Sequence, residues 1–123
     1  MRKIETQMIE SIRFADKSKD GTIFKADNTE VILSHFGIYG TYGYKCHIMI
    51  KLHGNLIAMI EDAYKGAVTL YTQGWRTPTT KSRINAILSH FLPEYGVYQH
   101  DRVWYISKDN DRYMEFYEGA TLN

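Results

Sequence analysis

Apolar residues near the start of the chain fall at Ile4, Met8, Ile9 and Ile12, while Lys3, Glu5, Gln7, Glu10, Ser11 and Arg13 fill the rest of each turn. This spacing puts the apolar set on one helical face and predicts an amphipathic helix over 3–14. The helix gives way to Lys17-Ser18-Lys19-Asp20-Gly21, which has turn chemistry and no apolar period. From 22 to 72 the pattern changes to β-branched and aromatic runs broken by glycine and asparagine. Strands are expected near 22–25, 30–35, 44–52, 56–62 and 67–72. His53-Gly54-Asn55 and Lys65-Gly66 supply two of the connections.

A second helix is announced by Thr77-Pro78, an N-cap hydroxyl followed by a proline at the first helical position. Ile84, Ile87, Leu88 and Phe91 then form a stripe at helical spacing, and Pro93 ends it. Three more strands are expected near 96–99, 103–107 and 113–117, separated by Asp101-Arg102 and Asp109-Asn110-Asp111. The order is helix, strands, helix, strands, without repeat or long linker. It predicts one α+β domain over 1–123, a mainly antiparallel sheet of about five to eight short strands with two helices packed on it.

Composition narrows the function classes. A chain of 123 residues can bury roughly two-thirds of its unfolded surface, so it needs no metal or disulfide staple. The single cysteine, Cys46, has no intramolecular partner, no secretory leader opens the chain, and no apolar run approaches the roughly 18 residues of a membrane span. Those features predict a soluble protein of a reducing compartment that makes no membrane contact. With 15 basic and 14 acidic side chains, no global field drives it onto nucleic acid.

Catalytic and metal-binding patterns are missing from the sequence. His35, His47, His53, His90, His100 and Cys46 show no repeated short ligand spacing, so neither a metal site nor a cofactor is expected. Cys46 and His47 are adjacent in an expected strand and point to opposite faces, which excludes them as a nucleophile and base pair. No paired acid and base motif stands out among the carboxylates. The expectation is a protein that is not an enzyme.

Two segments carry binding chemistry. Between Gly37 and Tyr44, glycines alternate with Tyr39, Tyr42 and Tyr44, as expected of a hairpin tip that presents tyrosines to a protein partner. At the start of the second helix, Trp75, Arg76, Thr77, Thr79, Thr80, Lys81 and Arg83 combine an indole, hydroxyls and cations with a helix N-terminus. That set could hold a phosphate of a nucleotide or nucleic acid.

The stretch Gly74-Trp75-Arg76-Thr77-Pro78-Thr79-Thr80-Lys81-Ser82-Arg83-Ile84-Asn85-Ala86-Ile87-Leu88 resembles a family of small bacteriophage accessory proteins. So do the opening Met1-Arg2-Lys3-Ile4-Glu5, Leu52-His53-Gly54-Asn55-Leu56-Ile57-Ala58, Gly96-Val97-Tyr98-Gln99 and Trp104-Tyr105. The resemblance covers most of the chain and carries no reaction and no catalytic residues. It implies a viral protein made in the cytoplasm of a bacterial host and used for host takeover or defence evasion. The leading expectation is therefore a non-enzymatic module that binds and blocks or redirects a host protein. The alternative is a nucleic-acid or nucleotide binder built on the basic start of the second helix.

Overall fold

Four two-residue turns set the architecture. Asp27-Asn28, His53-Gly54, Asp101-Arg102 and Asp109-Asn110 hold every residue at positive φ, between 46° and 77°. That backbone is the type I′ geometry whose twist matches paired antiparallel strands. Asp and Asn reach it more easily than other side chains because their short polar groups bond locally.

The computed structural model describes residues 1–15, 19–36, 45–61 and 67–123. In chain order the elements are α1 (Lys3–Arg13), β1 (Gly21–Ala26), β2 (Thr29–Phe36), β3 (Lys45–Leu52), β4 (Asn55–Ile60) and β5 (Val68–Leu70). They are followed by α2 (Pro78–Phe91), β6 (Tyr95–His100), β7 (Val103–Lys108), β8 (Asp111–Glu115) and β9 (Ala120–Leu122). The expected α+β class is what the fold shows. The strands, nine among the described residues, divide into two antiparallel sheets, one ordered β1-β2-β3-β4-β5-β9 and the other β6-β7-β8. The chain therefore returns to the first sheet in its last residues, where Val68 pairs with Leu122 and Leu70 with Ala120.

Both helices bury the stripes that their spacing predicts. Ile4, Met8, Ile9 and Ile12 of α1, and Ile84, Ile87 and Leu88 of α2, join Val31, Ile48, Ile50, Ile57, Ile60 and Leu70 of the first sheet in a single core, with Phe91 packed against it half-buried. Trp104 and Ile106 extend that core into the second sheet. Asn85 of α2 clips the open edge of β6: its side-chain amide donates to the Val97 carbonyl at 2.9 Å and accepts the Val97 N–H at 2.8 Å. Among the described residues no helix is long and apolar enough to cross a membrane.

Candidate functional site

The loop between β5 and α2 leaves the sheet abruptly. Tyr71 still donates its N–H to the Ile57 carbonyl at 2.9 Å, but Gln73 and Gly74 sit at φ 54° and 82°, and the Trp75 N–H closes the turn on the Thr72 carbonyl at 2.8 Å. This reversal throws the Trp75 indole outward, where 63% of the residue is exposed. A carboxylate from the far end of the chain fixes the turn. Glu118 accepts the Thr72 N–H at 2.8 and 2.9 Å on its two oxygens and the Thr72 hydroxyl at 2.8 Å. Removing that carboxylate by Glu118→Ala is expected to cost about 1 kcal/mol in a urea melt and to lower the steady-state emission anisotropy of Trp75. Unchanged anisotropy would show that the turn holds itself.

Beyond Trp75 the chain enters α2 through the expected cap. The Thr77 hydroxyl oxygen accepts the Thr80 N–H at 3.2 Å and lies 3.0 Å from the Thr80 hydroxyl. Between this helix start and the end of the β3–β4 hairpin lies a cleft of about 550 Å³. Its buried lining is Leu52, Ile57, Thr72 and Thr80, completed by His53 and Asn55 at the hairpin end and by Thr77, Thr79 and Trp75 at the helix start. No Asp, Glu, Lys or Arg is among the lining residues.

The seven residues that the sequence grouped at this helix start are not all brought together. Trp75, Thr77, Thr79 and Thr80 line the cleft. Arg83 does not. It is only 3% exposed, its Nη1 donates to Glu5 at 2.8 Å, and its Nε donates to the Thr29 hydroxyl at 3.1 Å. A guanidinium held this way is not available to an external anion, because position 83 falls on the buried helix face with Thr80 and Ile87. Arg76 leans over the rings of Phe116 and Trp104, at 5.4 and 6.0 Å. Lys81, half-buried, stands one turn after Thr77 and is not among the residues that line the cleft. The helix donors are also largely used: Pro78 has no N–H, the Thr80 N–H goes to the cap, and the Lys81 N–H bonds the Thr77 carbonyl at 3.1 Å. Tyr39, Tyr42 and Tyr44 lie outside the described residues.

Other chemistry is placed as follows. Glu5 is 2% exposed, and burial by itself pushes its carboxyl upward. The hydrogen bonds from Ser82, Arg83 and the Arg2 N–H together with the Arg83 charge outweigh that and hold it below the usual glutamate range. The β2–β3 register sets His35 opposite Cys46 and Ser34 opposite His47 along the backbone. No group of three His, Cys, Asp or Glu side chains converges among the described residues. On the second sheet, Tyr98 and Tyr105 stack across the β6–β7 pair at 5.5 Å, and the Arg112 guanidinium lies 3.8 Å over the Tyr105 ring while its Nε donates to the Tyr98 hydroxyl at 3.0 Å.

Sequence reading alone does not find the hairpin wall of the cleft or Glu118. His53-Gly54-Asn55 signals a turn, but nothing local says that it faces the start of α2, and Glu118 has no pattern around it that marks a capping role.

The Kyanoviridae Gp96 protein family matches residues 1–123, and the chain belongs to this family of phage proteins. Neither the curated proteins nor the solved structures contain a match to it.

Proposed function

We propose that this phage protein is a non-enzymatic binding module that engages a host protein through the cleft beneath Trp75, and so blocks or redirects it. One observation carries the reading: Trp75, left 63% exposed, lines a cleft whose buried residues include Leu52 and Ile57. A tryptophan side chain buries roughly 150–250 Å² when fully covered. Covering the exposed part, on the order of 100–150 Å², is worth about 2.5–4 kcal/mol at about 25 cal/mol per Å² before ordering costs. Exposed tryptophans that become buried in this way are the residues that dominate protein interfaces. Membership of a phage family makes a host protein the natural target. The three tyrosines at 39, 42 and 44 remain candidates for a separate protein contact.

A nucleic-acid reading uses the same indole for base stacking, with Arg76 and Lys81 on phosphates. With Arg83 turned inward to Glu5, that reading keeps fewer phosphate ligands than the sequence offers, so the protein partner is preferred.

The test places a photo-crosslinking benzoylphenylalanine at position 75 and, as a control, at position 25 on the exposed edge strand β1, during infection of the host. A discrete protein adduct from position 75 only is expected. With that protein in hand, Trp75→Ala should weaken binding by at least about 2 kcal/mol, or roughly thirtyfold, with the melting temperature nearly unchanged. Intrinsic fluorescence gives a second readout. Trp104 is 1% exposed, so acrylamide quenches Trp75 first, and a bound partner should shield it. Saturable, salt-sensitive binding of single-stranded DNA or RNA that Trp75→Ala abolishes, with no protein adduct, would overturn the proposal.

A further inference from the structure

Building on that reading, we infer that the partner segment filling the cleft is uncharged and polar: one apolar side chain flanked by the amides or hydroxyls of Asn, Gln, Ser or Thr. The inference rests on two properties of the lining. No Asp, Glu, Lys or Arg is among the lining residues, and six of the nine are His, Asn or Thr. The charged groups of the surrounding loop and helix are committed elsewhere. Arg76 lies against the Phe116 and Trp104 rings, Arg83 pairs with Glu5, and Glu118 takes the N–H and the hydroxyl of Thr72.

The second property is hydrogen-bonding capacity that the chain leaves unspent. Thr72 uses its hydroxyl on Glu118, and the Thr77 and Thr80 hydroxyls meet each other at 3.0 Å. By contrast, the side chains of His53, Thr79 and Trp75 make no hydrogen bond among the described residues, and the Asn55 amide reaches only the His53 carbonyl at 3.5 Å. The turn that carries His53 and Asn55 is itself fixed, since the His53 N–H donates to the Asn28 carbonyl at 2.8 Å. These groups are therefore presented to an occupant by a backbone already in place.

The two properties disfavour opposite kinds of occupant. A charged side chain entering the cleft would lose its water and find no ion-pair partner in the lining. A wholly apolar segment would strip water from His53, Asn55 and Thr79 and leave them unpaired, which offsets what apolar burial returns. An uncharged polar segment avoids both costs. An imidazole, an amide and a hydroxyl each donate and accept, so they suit amides and hydroxyls on the partner, while a single apolar side chain lies against Leu52 and Ile57. The volume of about 550 Å³ holds one large side chain together with its neighbouring polar groups.

A yeast-displayed library of random dodecapeptides, sorted on the purified protein, tests this directly. Peptides that depend on Trp75 and carry Asn, Gln, Ser or Thr beside Leu, Ile, Met or Phe are expected. Their affinity should change less than about twofold between about 50 and 500 mM salt, because no ion pair contributes. Thr79→Val and Asn55→Leu should each weaken them about three- to tenfold, the loss of one hydrogen bond, with the melting temperature nearly unchanged. Thr79→Val keeps the shape of the side chain and serves alone if Asn55→Leu perturbs the hairpin. Trp75→Ala separates the two levels of the argument. Trp75-dependent peptides that are enriched in charged residues, that weaken steeply with salt, or that bind Thr79→Val and Asn55→Leu as well as wild type would overturn the uncharged polar occupant and leave the cleft reading intact. A sort that yields no peptide dependent on Trp75 would overturn both, as would oligo-dT displacing the selected peptides at physiological salt.

Discussion

Arg83→Ala is expected to cost about 3–5 kcal/mol, a large share of the stability of a domain this size. The guanidinium joins three elements that are far apart in the chain, since it donates to Glu5 of α1 and Thr29 of β2 from its position on α2. Deleting it leaves a carboxylate that is 2% exposed with only the Ser82 hydroxyl at 2.6 Å and the Arg2 N–H at 3.1 Å. The penalty comes mainly from stranding that charge rather than from the worth of the pair. Replacing both partners together, as in Glu5→Leu with Arg83→Met, should therefore cost much less than Arg83→Ala alone. Urea melts near neutral pH decide it: a loss under about 1 kcal/mol for Arg83→Ala would mean that the pair is solvated.

The same pair predicts a pH dependence of definite sign. Because the folded protein holds the Glu5 carboxyl below its usual range, the stabilisation is present above the unfolded glutamate value and is lost as pH falls through the folded one. Wild type should thus lose stability on acidification below the ordinary carboxylate range, and Glu5→Gln should remove this part of the loss.

Arg83 also shows where sequence reading reaches its limit. Its spacing from Thr80 and Ile87 places it on the buried face of α2, which is a local fact and legible in the sequence. That Glu5, 78 positions away, would meet it there is not local, and without that partner a basic residue near a helix start reads as an anion ligand. The strands divide in the same way. The chain from β1 to β4 is legible because turn residues punctuate alternating runs, whereas β9 has only three residues and takes its stability from pairing with β5. The separation into two sheets is not legible, since β6 to β8 carry the same alternation as β1 to β5. In the candidate site, the helix-start wall could be read locally, because capping and proline signals act over a few residues. The hairpin wall depends on how β3 and β4 pack against α2.

Trp104→Ala is expected to cost about 3–5 kcal/mol as well, and its effect should reach the cleft. The indole is 1% exposed and meets the Phe116 ring edge-on, 5.8 Å between centroids at 73°. Phe116 also donates its N–H to the Trp104 carbonyl at 2.9 Å, so the strand exit that leads to Glu118 is tied to this residue twice. Arg76 rests on both rings from outside. Cavity formation at position 104 therefore removes core packing, loosens Phe116, and takes away one of the two ring faces that orient the loop carrying Trp75. Trp104→Phe retains an aromatic face and should lose far less stability. A double-mutant cycle between Trp104→Ala and Arg76→Ala should show a coupling of about 0.5–2 kcal/mol. In Trp104→Ala the remaining emission belongs to Trp75, and its anisotropy should fall under conditions where circular dichroism shows the protein still folded. Additive mutations with unchanged Trp75 anisotropy would mean that the second sheet and the cleft are mechanically independent, with Glu118 alone holding the indole in place.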